Sequence, residues 1–192
     1  MFKRVLPKIF YSRDPEIVAK RLLGNRLIRR LEGRSLEGII VETEAYYGLN
    51  DPASRAYHGV KDYNKGMWGE PGKIFIYNVH KYWMLNVVAH KADEIGAVLI
   101  RALKPVRGID FMKKNRPVKK ISDLTSGPGK LTVALGIDKS LNGTPVTSPH
   151  GEVAIVPHQM EFEVGVSHRI GVKHDLERKL RFYVKGNQFV SR

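Results

Sequence analysis

Residues 38–46, Gly-Ile-Ile-Val-Glu-Thr-Glu-Ala-Tyr, are the stretch that most limits how this chain can fold. The stretch has the period-two pattern of a β-strand, in which alternate side chains share a face. It predicts an apolar face that packs on the core, with Ile39, Val41, Thr43 and Ala45, and a second face with Ile40, Glu42, Glu44 and Tyr46. Two carboxylates and an aromatic ring would therefore project together from a rigid element.

Two interpretations of this carboxylate pair are open from the stretch alone. A partly buried carboxylate suits general-base chemistry, because burial raises its pKa toward neutral pH. An exposed strand face with two solvated glutamates is the more common arrangement.

The rest of the chain predicts strands in runs, with a few helices. Asp14-Pro15-Glu16 is a helix start signal, and Gly24 suits the end of that helix. Further helices are predicted at residues 107–115 and 130–135. Strands are predicted at residues 26–31, 36–46, 73–80, 82–90, 95–103, 152–156 and 181–185. This order, without a repeat or a linker, predicts a single α+β domain over residues 1–192.

The charge of the chain is strongly positive and unevenly distributed. The sequence has 33 Lys and Arg against 19 Asp and Glu, for a net charge of +14. Residues 1–34 carry +7, residues 101–120 carry +7 and residues 168–192 carry +5, whereas residues 35–100 carry −2 and residues 121–167 carry −3. The excess suggests a polyanionic partner, with nucleic acid ahead of a membrane surface. We expect basic segments around an acidic or neutral pocket.

Several classes of protein are disfavoured by what the sequence lacks. It has no cysteine and its seven histidines show no metal-ligand spacing, so we expect no zinc site and no thiol chemistry. No apolar run approaches the roughly 20 residues that span a bilayer. The first 14 residues do not have the pattern of a signal peptide. We therefore expect an intracellular protein, located in the cytoplasm or nucleoid, without a membrane partner.

Other strands contribute aromatic and polar candidates for a site. The strand at residues 73–80 places Phe75 and Tyr77 on one face, so Tyr46 and Tyr77 could offer two ring faces to a planar base. Asn86 and Arg101 lie in apolar strands, where a polar side chain needs a partner. Each could be a structural group or a recognition residue.

Seven segments, in this order, resemble those of a known family. They are residues 18–24, 40–46, 71–77, 86–88, 99–105, 124–131 and 169–184, and they span nearly the whole chain. The chain resembles the alkyladenine (3-methyladenine) DNA glycosylases, the mammalian and bacterial type built without a helix-hairpin-helix motif. The resemblance implies a curved antiparallel sheet with flanking helices. It also implies a monomer that acts on double-stranded DNA.

The resemblance further implies a role for each matched residue. Glu44 looks like the general base that activates water for attack on the sugar C1′ atom, and Glu42 looks structural. Tyr46 and Tyr77 match residues that stack a flipped base, Asn86 matches one that shapes the pocket, and Arg101 matches one near the DNA backbone. The implied reaction releases alkylated, and in some members deaminated, purines. It leaves an abasic site and needs neither a metal nor an organic cofactor.

Two positions depart from the family pattern. Arg55 stands where many members have a histidine, and an arginine cannot accept a hydrogen bond as a neutral histidine can. The usual Tyr-Gly wedge after the Tyr77 equivalent is also missing. We predict His80 as the residue that enters the DNA stack, with Val79 and Tyr82 as alternatives.

These departures keep two other functions open. A non-catalytic, basic nucleic-acid-binding module would explain the charge and the changed positions. A hydrolase of small nucleosides would keep the carboxylate and the aromatic rings without needing DNA. The response of Glu44→Gln separates the first from an enzyme, and salt dependence separates the second from a DNA-acting protein.

Overall fold

The computed structural model describes residues 4–191, and its framework is an antiparallel sheet that curves like half a barrel. The strands in this part of the chain are β1 (Arg26–Leu31), β2 (Arg34–Tyr47), β3 (Ile74–Val79), β4 (Tyr82–Val88), β5 (Gly96–Arg107), β6 (Val153–Val156), β7 (Val164–Ser167) and β8 (Arg181–Val184). The helices are α1 (Lys8–Tyr11), α2 (Pro15–Leu22), α3 (Ile109–Asn115) and α4 (Pro128–Leu135). The predicted α+β class with a curved antiparallel sheet is confirmed.

Strand β2 is the centre of the sheet. The strand order is β3-β4-β5-β2-β1-β6, and β8 pairs with both β2 and β7. One edge of β2 pairs with β5, while the other edge pairs first with β1 and then with β8. The segment from Glu42 to Glu44 is therefore held by strands on both sides.

Two of the three register shifts between β2 and β5 lie next to Glu42. Ile40 pairs with Leu103 and Glu42 with Ala102, so Val41 is an extra residue on β2. Thr43 then pairs with Ile100, so Arg101 is an extra residue on β5. Such bulges redirect the side chains around them.

The bulges overturn part of the predicted two-face pattern. Ile39 and Val41 pack in a small cluster with Ala102, Val184 and Phe189. Ile40 instead joins the main core, as Ala45 does. The prediction that Ile39, Val41, Thr43 and Ala45 share one apolar face is therefore wrong, because strict alternation does not continue through a bulge.

The main core lies between the sheet and two helices. Helix α2 contributes Val18, Ala19 and Leu22 to it, and α4 contributes Leu131 and Leu135. A second apolar cluster contains Tyr46, Phe75, Met84, Val88 and Leu99, together with the partly buried Tyr77. Phe75 and Tyr77 thus share a face, as predicted, while Ile74 and Ile76 pack in the main core.

Local signals explain where the helices begin. Asp14 caps α2, where its Oδ1 atom accepts a hydrogen bond of 2.8 Å from the Glu16 N–H, and Pro15 is the first helical residue. The helix predicted at residues 107–115 begins two residues later, after Gly108 at a φ of 73°. Helix α1 and strand β7, each of four residues, were not predicted.

No helix among residues 4–191 is both long enough and apolar enough to cross a membrane. Residues 1–3, which belong to the stretch considered for a signal peptide, lie outside the described residues, as does residue 192.

Candidate active site

A pocket of about 600 Å³ opens on the face of the sheet that carries Tyr46 and Tyr77. Side chains from β2 to β5 form its base, including Tyr46, Tyr77, Met84, Leu99 and Arg101. Two loops form most of the rest of its wall, one at residues 52–58 and one at residues 170–174, and Tyr63 and Pro128 complete it.

Glu44 lies directly behind the wall of this pocket and has no exposed surface. Its Oε1 atom accepts a 2.8 Å hydrogen bond from the Ile170 N–H, and its Oε2 atom accepts one of 2.7 Å from the Tyr46 hydroxyl. Nη1 of Arg101 lies 3.2 Å from Oε2. All three partners line the pocket, so the carboxylate sits where they meet.

Burial raises the pKa of Glu44 above its ordinary value, and it is the largest influence on that carboxyl. Arg101, the Ile170 N–H and the Tyr46 hydroxyl act in the opposite direction, because each stabilises the charged form. The neighbouring Glu42 raises the pKa further. Solvated glutamates on an open strand face, the alternative from the sequence, are excluded, since neither carboxylate is exposed.

Glu42 is buried among donors of the protein itself. Oε1 accepts hydrogen bonds from Arg101 Nε at 2.8 Å, Arg181 Nε at 2.7 Å and the Ser191 hydroxyl at 2.7 Å. Oε2 accepts one from the Ser191 N–H at 2.6 Å. We call these four residues the Glu42 cluster. Of these donors only Arg101 lines the pocket, whereas all three partners of Glu44 do, so Glu42 fits a structural role better than a catalytic one.

Each of the two tyrosines has an arginine over its ring. The Arg169 guanidinium lies 4.6 Å from the Tyr46 ring centre, and the Arg55 guanidinium lies 4.6 Å from that of Tyr77. Burial is the main cause that raises the pKa of both tyrosines, so both phenols stay protonated at neutral pH. The structure thus brings Tyr46, Tyr77 and Arg55 together around one pocket.

Asn86 is buried beneath that pocket, where it lines a small adjoining void. Its Nδ2 atom donates to the carbonyl oxygens of Phe75 at 3.1 Å and Met84 at 3.0 Å. Both amide hydrogens are therefore used, so a ligand could meet only the carbonyl oxygen of Asn86.

Arg101 points inward, with 6% of its surface exposed. It pairs with Glu42 and Glu44, and Nη1 lies 3.5 Å from the Ile170 carbonyl oxygen. The contact with the DNA backbone expected for Arg101 stays a prediction, and its partners favour a role beside the carboxylates.

The candidate wedge residues lie on the turn between β3 and β4. Val79 pairs with Tyr82 across the hairpin and lines the pocket. His80 is an exposed turn residue with a φ of 51°, in the left-handed region. The choice of His80 as the wedge stays a prediction, and Val79 is the one nearest the pocket.

A buried ion pair that the sequence did not reveal holds the loop at residues 168–175. Both terminal nitrogens of Arg169 donate to Asp51, each at 2.7 Å, and Nη2 and Nε also donate to Asp175. Nη1 donates to the Ala45 carbonyl oxygen at 3.0 Å. This arrangement places the next residue, Ile170, against Glu44. Arg169 was noticed only within a family motif, because contacts over 118 residues leave no local pattern.

The charge of the pocket wall differs from the expectation of an acidic or neutral pocket. The wall carries Arg55, Arg101 and Lys173, while Glu42 and Glu44 are buried behind it. Within residues 4–191, no group of three or more His, Asp or Glu side chains could hold a metal ion.

A buried carboxylate next to a pocket with two aromatic rings is an arrangement suited to an enzyme that hydrolyses a bond beside a planar group. The family model for methylpurine-DNA glycosylase (MPG) matches residues 9–188 of this chain. The chain belongs to the methylpurine-DNA glycosylase family.

Relatives over the full length support the same assignment, and three of them carry the name "Putative 3-methyladenine DNA glycosylase". The protein from Aeropyrum pernix is 40% identical, over 98% of this chain and 94% of its own length. The one from Carboxydothermus hydrogenoformans is 43% identical, over 98% and 99%. The one from Clostridium perfringens is 38% identical, over 97% and 98%.

Proposed function

We propose that this protein is a monofunctional DNA glycosylase that releases alkylated purines from duplex DNA and leaves an abasic site. One observation carries the proposal. Glu44, a buried carboxylate with a raised pKa, lies behind the junction of three groups that line an aromatic pocket.

The damaged nucleotide must first leave the helix to reach this pocket. Flipping a base costs a few kcal/mol, and less when the base is damaged. Stacking on an aromatic ring stabilises the flipped base by about 1–3 kcal/mol. Tyr46 and Tyr77 are the tyrosine rings at the base of the pocket that can stack in this way.

Hydrolysis then needs a water molecule beside Glu44. The Arg101 guanidinium and the Ile170 carbonyl oxygen lie 3.5 Å apart next to the carboxylate, so they could hold and orient that water. Glu44 takes one proton as the water oxygen bonds to C1′. The bond from C1′ to the purine nitrogen breaks, and its electron pair leaves with the base. A cationic alkylated purine leaves as a neutral molecule, so it needs little help from an acid.

Substrate binding involves two further parts of the pocket. Arg55 presents a cation next to Tyr77 and can donate hydrogen bonds to acceptors on the base edge. The β3–β4 hairpin is the candidate for entry into the DNA stack, and Val79, which lines the pocket, is the candidate for the side chain that fills the space the base leaves.

The test is base release from duplexes with methylated adenine, hypoxanthine, ethenoadenine or only normal bases, followed by alkali cleavage at abasic sites. We expect Glu44→Gln to slow release by about 10²–10⁴-fold while it still binds DNA. The matched control is Glu37→Gln, which also changes a buried, arginine-paired glutamate of β2 but lies outside the pocket wall. It should keep activity.

Other outcomes would contradict the proposal in distinct ways. Normal release by Glu44→Gln would remove Glu44 as the base. Tight binding of DNA without release from any duplex would favour a binding module. Activity on free nucleosides that does not change with salt would favour a nucleoside hydrolase, because phosphate contacts make DNA binding salt-dependent.

A further inference from the structure

Ser191 lies in the Glu42 cluster although it is far from Glu42 in the sequence. Its N–H and its hydroxyl donate to different oxygens of Glu42, at 2.6 Å and 2.7 Å. Its carbonyl oxygen accepts a hydrogen bond of 3.1 Å from Arg181 Nη2, and the residue is 8% exposed. The backbone and the side chain of Ser191 are therefore both fixed against the cluster.

The hydroxyl of Ser191 also touches Arg101, which contacts Glu44. Arg101 Nε is held by Glu42 at 2.8 Å, and Nη2 donates to the Ser191 hydroxyl at 3.2 Å. A guanidinium group is planar and rigid, so two fixed nitrogens determine where the third one points. The third, Nη1, then lies 3.2 Å from Glu44.

We propose that Ser191 is a positioning residue for base release, because its hydroxyl fixes the plane of the Arg101 guanidinium beside Glu44. The inference rests on the function proposed above and concerns a residue that does not line the pocket. Ser191 acts through Arg101 and has no contact with the reacting atoms.

Without the Ser191 hydroxyl, the Arg101 guanidinium can form a more favourable set of hydrogen bonds with Glu42. Without Ser191 Oγ, Nη2 has no acceptor at its present place, and Glu42 Oε1 loses one of its donors. The guanidinium can turn and present two nitrogens to Glu42, which is the geometry that arginine and carboxylate prefer. Nη1 then moves away from Glu44 and from the Ile170 carbonyl oxygen.

The test compares three variants in single-turnover base release and in DNA affinity. Ser191→Ala should slow release about 10–100-fold with unchanged affinity, since small misplacements at a reacting centre have effects of this size. Ser191→Thr keeps a hydroxyl and should restore most of the rate. The matched control is Ser167→Ala, which removes the hydroxyl that accepts from Arg181 Nη1 on the side away from Glu42. It should release base at the wild-type rate.

The pH dependence of base release distinguishes a positioning role of Ser191 from a purely structural one, because a purely structural role would leave the profile unchanged. Arg101, Tyr46, Glu42 and Tyr77 are the titratable groups that interact with Glu44, and Arg101 lowers its pKa. Ser191→Ala loosens Arg101, so the acidic limb of the rate profile should move to higher pH. Thermal unfolding of each variant checks that it is folded.

Different results would contradict the positioning role of Ser191 and the proposed glycosylase function. Wild-type rate and pH profile in a folded Ser191→Ala variant would overturn the role of Ser191 and leave the glycosylase function intact. A slower rate without any shift of the acidic limb, or without recovery in Ser191→Thr, would also overturn it. Absence of base release by the wild-type protein would instead overturn the proposed function.

Discussion

Arg169 and Asp51 form a buried, two-point ion pair in which each terminal nitrogen donates to a different carboxylate oxygen at 2.7 Å. Neither side chain has exposed surface. The pair joins the loop that follows β2 to the loop that follows β7. It thereby fixes Ile170, whose N–H donates to Glu44. The hydrogen bond that Glu44 accepts from Ile170 therefore depends on a contact that lies outside the pocket.

Removing the charge of Asp51 should destabilise the whole domain. Asp51→Asn leaves Arg169 buried with only Asp175 as a charged partner, which should cost about 3 kcal/mol of unfolding free energy. Urea unfolding at pH 7 measures this change. The control is Glu163→Gln, which breaks an exposed pair with Lys185 and should leave the midpoint unchanged. Equal effects of the two substitutions would contradict the structural role of the buried pair.

The rate of base release should fall in acid because Glu44 must be unprotonated to act as a base. Burial raises the pKa of this carboxyl above its ordinary value of 4.5. The rate should therefore be full above the raised pKa, and it should be half-maximal at a pH above 4.5. Single-turnover rates from pH 4 to 8 measure the profile, with circular dichroism as a check of folding. A half-maximal pH at or below 4.5 would contradict this prediction.

Arg55 should set the order in which damaged bases are accepted. Its guanidinium lies over the Tyr77 ring at the pocket wall, so it repels a cationic base in the pocket but not a neutral one. At a separation of several ångströms this repulsion is on the order of 1 kcal/mol, or about fivefold. Arg55→Gln should raise release of cationic methylated purines relative to neutral hypoxanthine by that factor.

The Arg55 prediction is checked by rates on the two substrates in one experiment, since their ratio removes differences in protein concentration. Lys65→Gln is a suitable control, because it removes a surface cation that does not line the pocket and whose ion-pair partner is Asp62. An equal change of this rate ratio in both variants would show that the net charge of the protein causes the effect, which would contradict a specific role of Arg55.

The hairpin turn should contribute to base flipping through Val79 more than through His80. Val79 lines the pocket, so Val79→Ala should lower the flipped fraction several-fold by leaving the gap in the DNA unfilled. His80→Asn keeps a residue that tolerates the left-handed backbone and should change flipping little. Fluorescence of 2-aminopurine beside the lesion measures both. A larger loss in His80→Asn would restore His80 as the wedge.

Local signals in the sequence predicted much of this fold. Asp14 and Pro15 mark the start of α2 because capping depends on neighbouring residues only. The strand pattern likewise placed Glu44 and Tyr46 on one side of β2, where the two are hydrogen-bonded. Roles for these residues came from the family resemblance.

Other features could not be predicted because they depend on contacts between distant segments. The extra residues Val41 and Arg101 belong to bulges that arise only when β2 meets β5, so alternation misplaced Ile39 and Val41. Ser191 was not considered, because nothing near residue 191 indicates that Glu42 will lie against it. The contact between Arg169 and Asp51 could not be predicted either, although residue 169 lies in one of the family segments.

The pairing of β2 on both edges from Glu42 to Glu44 has a consequence for how the protein meets its substrate. Amide groups enclosed in this way open only when much of the sheet unfolds, so this segment belongs to the part of the protein that exchanges hydrogen most slowly. The carboxylate is thus set in place during folding and needs no ordering when DNA arrives. Adaptation to a bent or damaged duplex is left to the loops and the hairpin around the pocket.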